Sequence, residues 1–432
     1  MKLLEKIKSG KAIVGIAGLG YVGLPLACEF AESGFHVIGV DICSEKVRQL
    51  NSGKSYVLDV PSERIARLLK SKKISFSDDY SAMSSADCIS IAVPTPLRKS
   101  KDPDVSYIVS AMDEVKKILH KNLLIVLEST TYPGTTKELI ANEVELAGFT
   151  VGKDVFVAFS PERVDPGNPE YHTKNTPKVI GGCTASCTEA AFRLYSAVID
   201  CVIKVDSTEE AEMVKLLENT FRAVNIALVN EMALMCDRMG MNIWNVIDAA
   251  ATKPFGFMTF YPGPGIGGHC IPLDPSYLSW KAKMFDFYNR FIELATDING
   301  NMPRFVLQKI TRILNIHKKP LNGSRVLLTG VAYKPDIDDL RESPALEVYR
   351  LLSEEGAEVY FYDPFVKSFA IGDQTVKGVK MTPAGLKKYD LVVITTKHTR
   401  GVDYGMILEH AGLIFDTRNA YQGVRCDKIH NL

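Results

Sequence analysis

Ala12-Ile13-Val14-Gly15-Ile16-Ala17-Gly18-Leu19-Gly20-Tyr21-Val22-Gly23 is the stretch on which the fold turns. Its first six residues are a short apolar run of strand type. Gly18-x-Gly20-x-x-Gly23 follows at once. Leu24 to Ser33 then reads as a helix stopped at Gly34, and His36 to Val40 as a second strand ending in Asp41. Strand, glycine loop, helix, strand and acid in this order have a physical meaning. The glycines let the backbone approach a pyrophosphate at the positive N-terminus of the helix, and the acid accepts hydrogen bonds from a ribose diol. Ile42 and Cys43 supply no nearby cation for a 2′-phosphate, so the pattern favours NAD over NADP.

The alternation continues downstream. Asp87 to Val93 reads as a buried strand ending in Pro94-Thr95-Pro96, and Ile108 to Leu119 as a helix. Leu123 to Leu127 is a strand ending in Glu128-Ser129-Thr130-Thr131-Tyr132-Pro133-Gly134. Val155 to Phe159 is another, ending in Ser160-Pro161-Glu162-Arg163-Val164-Asp165-Pro166-Gly167. In an open α/β sheet the ligand lies beyond the carboxyl ends of the strands, so these three polar tails are expected to meet around the nicotinamide. Taken singly, each is equally an ordinary turn rich in Pro and Ser.

The chain has 432 residues, long for one core, which implies two or three domains. Its formal net charge of zero gives no basic surplus for nucleic acid and no acidic surplus for disorder. No apolar run is long enough to span a membrane, and the charged start, Met1 to Lys11, lacks the apolar core of a signal peptide. The nine cysteines are scattered, and Cys183 and Cys187 have no matching Cys or His pair. They read as packing residues of a protein in the reducing cytoplasm, with no metal site expected.

From Ser207 the pattern turns helical. Ser207 and Glu210 fit a capping box, and Ala211, Val214, Leu217, Phe221, Val224 and Leu228 recur at helical spacing with no Pro or Gly before Gly240. Such a helix, about 45 Å long at 1.5 Å per residue, suits a domain-spanning or dimer-forming element. Lys215 and Asn219 share one of its faces; alone they read as a solvated pair. A second helix, Ile243 to Ala250, precedes Gly263-Pro264-Gly265-Ile266-Gly267-Gly268-His269-Cys270-Ile271-Pro272-Leu273-Asp274-Pro275. That composition predicts a stiff loop carrying one thiol and one carboxylate, suited to covalent catalysis and equally to a structural loop with an incidental cysteine. Helices are expected from about Tyr277 to Asn301. Beyond the turn at Leu321-Asn322-Gly323-Ser324, strands at Arg325 to Leu328, Glu358 to Tyr362, Leu391 to Thr395 and Leu413 to Phe415 form a second doubly wound domain. It lacks G-x-G-x-x-G, so no second dinucleotide is indicated. Lys334, Arg341 and Lys397 stand near its strand ends, where they meet a phosphate or carboxylate or remain surface charges. The fold class expected is α/β, with two Rossmann-like doubly wound domains joined by a central helical domain with one long helix, divided at 1–206, 207–320 and 321–432.

Together these residues resemble the UDP-glucose/GDP-mannose dehydrogenase family over nearly the whole chain. The resemblance rests on the nucleotide fingerprint, Ser129-Thr130-Thr131, Ser160-Pro161-Glu162, Lys215 with Asn219, Gly267-Gly268-His269-Cys270, Asp274, and Lys334 with Arg341-Glu342-Ser343. It implies an NAD domain, a central helical domain and a UDP domain, assembled as a homodimer or higher homo-oligomer through the long helix. It implies a four-electron oxidation of a sugar C6 alcohol to a carboxylate with two NAD. The catalytic residues implied are Cys270, Lys215, Asn219, Asp274, Glu162 and Thr131. Gly18, Gly20, Tyr21, Val22, Gly23, Asp41, Thr95, Thr130 and Arg341 are implied at the cofactor, and Arg163, Lys215, Asn219, Gly267 and Lys334 at the substrate.

The route that the resemblance implies is chemically coherent. A Cys270 thiolate would attack the C6 aldehyde, the thiohemiacetal would lose a second hydride, and water would hydrolyse the thioester. Lys215 is the candidate cation for the thiolate and for oxyanions, with Asn219 expected in support. Asp274, Glu162 and Thr131 are candidates to orient or activate water, and the residues alone leave open which carboxylate is the base. Arg163-Val164-Asp165-Pro166-Gly167 after Glu162 resembles the enzymes that oxidise UDP-N-acetylhexosamines. This favours UDP-N-acetylglucosamine, then UDP-N-acetylmannosamine, then UDP-glucose. Two rivals stand beside this. A β-hydroxyacid dehydrogenase would pair a Rossmann domain with a helical one but need neither Cys270 nor the C-terminal domain. A non-catalytic nucleotide-sugar-binding protein would have no use for Cys270, Lys215 and Asp274.

Overall fold

Runs of buried β-branched and leucine residues between glycine- and proline-rich turns build the first sheet. The structure, a computed structural model, describes residues 2–57, 59–98, 102–165, 168, 170–268 and 270–432. The strands are β1 (Ile13–Ala17), β2 (His36–Val40), β3 (Ile74–Ser77), β4 (Cys88–Ile91), β5 (Leu123–Leu127), β6 (Val155–Phe159), β7 (Lys178–Gly182) and β8 (Val202–Lys204). Their order is β3-β2-β1-β4-β5-β6-β7-β8, and β1 to β6 run parallel. The winding reverses between β1 and β4, the crevice where such sheets bind ligands. Strand β5 shows why the sheet is apolar throughout: Leu124 and Val126 enter the core on one face, and Leu123, Ile125 and Leu127 the core on the other.

Two strands break the parallel rule, since β8 runs parallel to β7. β7 is antiparallel to β6, pairing Ala158 with Gly182 and Phe159 with Gly181. Its first residue, Lys178, therefore lies at the edge of the sheet where β1 to β6 have their carboxyl ends. A strand's direction is not written in its composition, and this reversal is invisible in the sequence.

The long helix is Thr208–Met239. The capping box forms by half: Ser207 Oγ accepts from the Glu210 N–H at 3.1 Å, while the Glu210 carboxylate reaches back to the Asp206 N–H at 2.9 Å. Its apolar stripe divides. Ala211 is buried, whereas Leu217, Phe221 and Leu228 are 59%, 45% and 51% exposed. On the buried side, Glu212 accepts from the N–H of Gly134 at 2.6 Å and from the N–H and hydroxyl of Thr136 at 2.8 and 2.7 Å. It thereby caps the Thr136–Ala141 helix that follows the β5 tail.

The expected loop from Gly263 to Pro275 is corrected. Helix begins at Cys270 and runs to Lys283 with Pro275 inside it. Pro272, in the first turn, removes an N–H that has no intrahelical acceptor, and Pro275 loses a single bond close to the helix start. Within the expected loop, the described residues before Cys270, 263–268, are irregular. The expected helical stretch from Tyr277 to Asn301 is also redrawn: the second helix is Arg290–Ile316 and accommodates Pro303.

The second sheet has β9 (Arg325–Thr329), β10 (Glu358–Tyr362), β13 (Leu391–Ile394), β14 (Ile414–Asp416) and β15 (Ile429–Asn431), in the order β10-β9-β13-β14-β15, all parallel. β11 (Ser368–Ile371) and β12 (Gln374–Lys377) form a separate antiparallel hairpin. The architecture is α/β, with two doubly wound parallel sheets and a helical region containing the long helix. The chain divides into two compact units, Met1–Glu218 with Ser276–Phe287, and Asn219–Pro275 with Tyr288–Leu432. Among the described residues no helix is long and apolar enough to cross a membrane.

Candidate active site

In the first unit the fingerprint glycines take three different roles. Gly18 has φ +93°, and a Cβ there would lie 2.5 Å from the Ala92 carbonyl. At Gly23 a Cβ would lie 1.9 Å from the Gly18 carbonyl, so glycine is what lets the helix start pack on the turn. At Gly20 a Cβ would meet nothing within 4 Å. Gly20 thus fronts open space at the end of β1, as a backbone that receives a pyrophosphate must. Tyr21 is half exposed beside it, and Val22 precedes the Gly23–Glu32 helix. These residues fit NAD.

Asp41 sits where the pattern requires, at the end of β2. Its carboxylate accepts from the N–H of Leu19 and of Cys43, both at 3.0 Å, which ties the glycine loop to β2. The expectation of no cation nearby is corrected: Lys46 Nζ lies 3.5 Å from Asp41 Oδ2. Lys46 is the third residue of the Ser44–Asn51 helix, beyond the two residues on which that expectation rested.

The strand tails meet. Ser129 Oγ donates to the Val93 carbonyl at 2.8 Å, joining the β5 and β4 tails. The Tyr277 hydroxyl donates to the Thr95 carbonyl at 2.8 Å and contacts that of Pro96 at 3.1 Å. Thr130 is half-buried. Thr131 is 1% exposed, and its hydroxyl has no hydrogen-bond partner among the described residues. Glu162 accepts through Oε1 from the N–H of Arg163 and Val164, both at 2.9 Å, and through Oε2 from Lys178 Nζ at 3.3 Å. Burial opposes its charge, but Lys178, the two N–H groups and Lys215 outweigh burial and hold the carboxyl below the usual range. Lys215 is itself buried, so it is not the solvated group its helix face alone suggested. Arg163 is committed: its guanidinium pairs with Glu218 at 2.6 Å and donates to the Pro177 carbonyl at 2.7 Å.

In the second unit, Asn219 Nδ2 donates to Asp274 Oδ2 at 2.6 Å, and both residues are buried. Asp274 lies one turn along the helix that Cys270 begins, so thiol and carboxylate share a face. The thiol is half-buried at a helix N-terminus, a place that favours negative charge and so suits a group that reacts as thiolate. The preceding segment is pinned at both ends. The Gly263 N–H donates to Asn230 Oδ1 at 3.0 Å, with Asn230 bonded to Asn299 at 2.9 Å, and the Gly268 N–H donates to the Arg341 carbonyl at 2.9 Å. A Cβ on Gly267 would lie 2.6 Å from Tyr333 Cβ, so this glycine serves close packing against the segment carrying Tyr333 and Lys334. The Arg341 guanidinium is held by Asp339 at 2.6 Å. His269, Pro166 and Gly167 lie outside the described residues.

Sequence reasoning missed three groups. Lys178 was hidden by the reversal of β7. Lys46 was hidden by stopping at the residues next to Asp41. Arg418 lies beside Gly263, donating Nε–H to the Thr395 carbonyl at 3.0 Å, and burial of its guanidinium pulls its pKa down to about 10. Its only signal was a position just past the end of β14.

Fold and site define a dinucleotide-dependent dehydrogenase with a helix-borne thiol and a second nucleotide-type sheet. The comparisons with known proteins agree. Residues 12–199 match the NAD-binding domain of the UDP-glucose/GDP-mannose dehydrogenase family, 209–301 its central domain and 327–423 its UDP-binding domain. The chain is 33% identical over 397 residues to a UDP-N-acetyl-D-glucosamine 6-dehydrogenase of Pseudomonas aeruginosa, covering 91% of this chain and 92% of that one. It is 35% identical over 413 residues to a UDP-N-acetyl-D-mannosamine dehydrogenase of Pyrococcus horikoshii, covering 94% and 95%. A solved structure of a UDP-D-ManNAc dehydrogenase from that organism superposes with a TM-score of 0.89 over 97% of this chain and 98% of that one. The chain belongs to the UDP-glucose/GDP-mannose dehydrogenase family and is an NAD-dependent oxidoreductase of the nucleotide-sugar class.

Proposed function

We propose that this protein oxidises the C6 alcohol of a UDP-N-acetylhexosamine, UDP-N-acetylglucosamine in the first place, to the uronic acid. Cys270 is the residue that carries the sugar between the two oxidations. One observation bears most of the weight: Asp274, fixed by Asn219 at 2.6 Å, lies one helical turn from the Cys270 thiol. NAD, when bound, supplies the hydride acceptor for each oxidation. The Cys270 thiolate adds to the C6 aldehyde to form a thiohemiacetal, loss of a hydride leaves a thioester, and water releases the carboxylate and regenerates the thiol. Lys215 supplies positive charge to the thiolate and to the oxyanions, and Asn219 orients Asp274.

Glu162 is a weak base, because Lys178, the two N–H groups and Lys215 lower its affinity for a proton. Asp274 is assigned to activating water, with Glu162 and Thr131 orienting it. The N-acetylhexosamine assignment draws on Glu162-Arg163-Val164-Asp165 and on the P. aeruginosa relative's substrate. Arg163, paired with Glu218, would act on the sugar pocket by fixing its wall. Lys334 and Arg418 are assigned to the UDP moiety, and Arg341 to the cofactor side. The exposed Leu217, Phe221 and Leu228 support a homodimer through the long helix.

A panel of UDP-N-acetylglucosamine, UDP-N-acetylmannosamine and UDP-glucose, with NADH counted per sugar, tests the proposal. Two NADH and a uronic acid from the first sugar at the highest kcat/KM are expected. One NADH with a stable aldehyde would remove the thioester route, and a preference for another sugar would move the substrate assignment.

A further inference from the structure

We propose that Lys178 is a positioning residue of the oxidation, fixing the Glu162 carboxylate in one orientation and in its charged form beyond the carboxyl ends of β5 and β6. The inference rests on the reading of Glu162 as a group of the catalytic site.

The Lys178 side chain is 5% exposed, and its ammonium is spent on three neighbours. It donates to Glu128 Oε2 at 2.8 Å and to Glu162 Oε2 at 3.3 Å, and it lies 5.3 Å from the centre of the Tyr195 ring. Glu128 is closed off behind it. Its Oε1 accepts from Ser90 Oγ at 2.7 Å and from the Tyr195 hydroxyl, and the side chain is 0% exposed. Glu162, at 11% exposed, is the carboxylate of the pair with an outlet. The arrangement is therefore directional. Glu128, Tyr195 and Ser90 anchor the ammonium, and the ammonium aims Glu162.

A buried ion triad is a weak device for stability, since apolar side chains of the same volume do as well or better. Its cost is intelligible if the charge has another use. The groups facing Glu162 come from four elements. They are Lys178 from β7, Lys215 from the long helix, the N–H groups of Arg163 and Val164 from its own tail, and Glu128 from the end of β5 behind Lys178. The Arg163 guanidinium is turned away to Glu218. Removing the ammonium leaves Glu162 held by two backbone donors, with Lys215 as the remaining facing cation.

The test compares wild type, Glu162→Gln, Lys178→Met combined with Glu128→Gln, and the triple variant, with NAD and UDP-N-acetylglucosamine, measuring kcat and KM from pH 5 to 9 and NAD affinity. The paired substitution removes the ammonium together with the Glu128 charge, so Glu128 is not left as a buried charge without its ion-pair partner. Expected are an unchanged Kd for NAD, a fall in kcat on the order of 10²-fold from loss of positioning, and an acid-side loss of rate that begins at higher pH, because the ammonium in contact with Glu162 is gone and the Glu128 charge removed with it lay farther away. In the triple variant the loss should not exceed that of Glu162→Gln alone. Wild-type kcat and pH profile in the paired variant, or losses that multiply with Glu162→Gln, would overturn the proposal.

Should the pair fail to fold, Lys178→Arg carries the test. Its longer planar fork relocates the donors, so kcat should fall severalfold with Glu162 present and be unaffected in the Glu162→Gln background; equal losses in both overturn the proposal. A Glu162→Gln variant with full kcat would instead remove the catalytic reading of Glu162, a failure distinct from that of Lys178.

Discussion

Glu212 should make the protein less stable as pH rises from acid to neutral. Burial pushes its pKa up from 4.5 to about 7, against the pull of three hydrogen bonds from Thr136 and Gly134. In the unfolded chain the group titrates at its ordinary value. Between those two pH values the folded state binds the extra proton, so the unfolding free energy falls with rising pH. The contribution is fully present below about pH 4.5, and it is lost as pH passes through about 7. At about 1.4 kcal/mol per pH unit the rise is worth about 3 kcal/mol. Glu212→Gln resembles the protonated form in shape and charge and cannot titrate. Urea unfolding of both proteins at half-unit steps from pH 4.5 to 8.5 isolates the effect, because every other titrating group is shared. The stability of wild type relative to Glu212→Gln should fall by about 3 kcal/mol across that range and level off above the folded-state value of about 7. Parallel curves would refute the reasoning and show that the three donors fully offset burial.

The other predictions concern two glycines of the fingerprint, the cofactor and the thiol. Gly20→Ala has room for its methyl, so the protein should fold with an unchanged circular dichroism spectrum yet bind NAD at least tenfold more weakly on the order-of-magnitude scale of a lost close approach; Gly23→Ala, 1.9 Å from the Gly18 carbonyl, should lower Tm as well. NAD should be preferred to NADP, and Lys46→Ala should widen that preference by removing the cation beside Asp41, as steady-state kinetics with both cofactors would show; an unchanged ratio would deny Lys46 any part in selection. Cys270→Ser should keep fold and NAD binding but nearly abolish uronic acid formation, since a hydroxyl is a far weaker nucleophile at neutral pH. Mass spectrometry after incubation with NAD and substrate would reveal any stalled ester, and acid formation at near wild-type rate would reduce Cys270 to a structural residue.

What the sequence determined is whatever local chemistry dictates. The run from Ala12 to Asp41 carries its own periodicity, its turn glycines and its acid, and its elements form where they were read. The long helix follows from an unbroken stretch free of Pro and Gly. The helix begun by Cys270 was obscured because proline near a helix start and proline in a loop look alike in one dimension. Tertiary structure decided which polar groups share a buried space. Asn219 finds Asp274 across 55 residues, and Lys178 finds Glu128 across 50. Lys178 reaches Glu162 because β7 runs backwards, and strand direction depends on how the connection packs, which no local pattern encodes. The ionisation of Glu162 and Glu212 was likewise undetermined by sequence, because it is set by the balance of burial against neighbouring charges and donors that only the folded chain brings together.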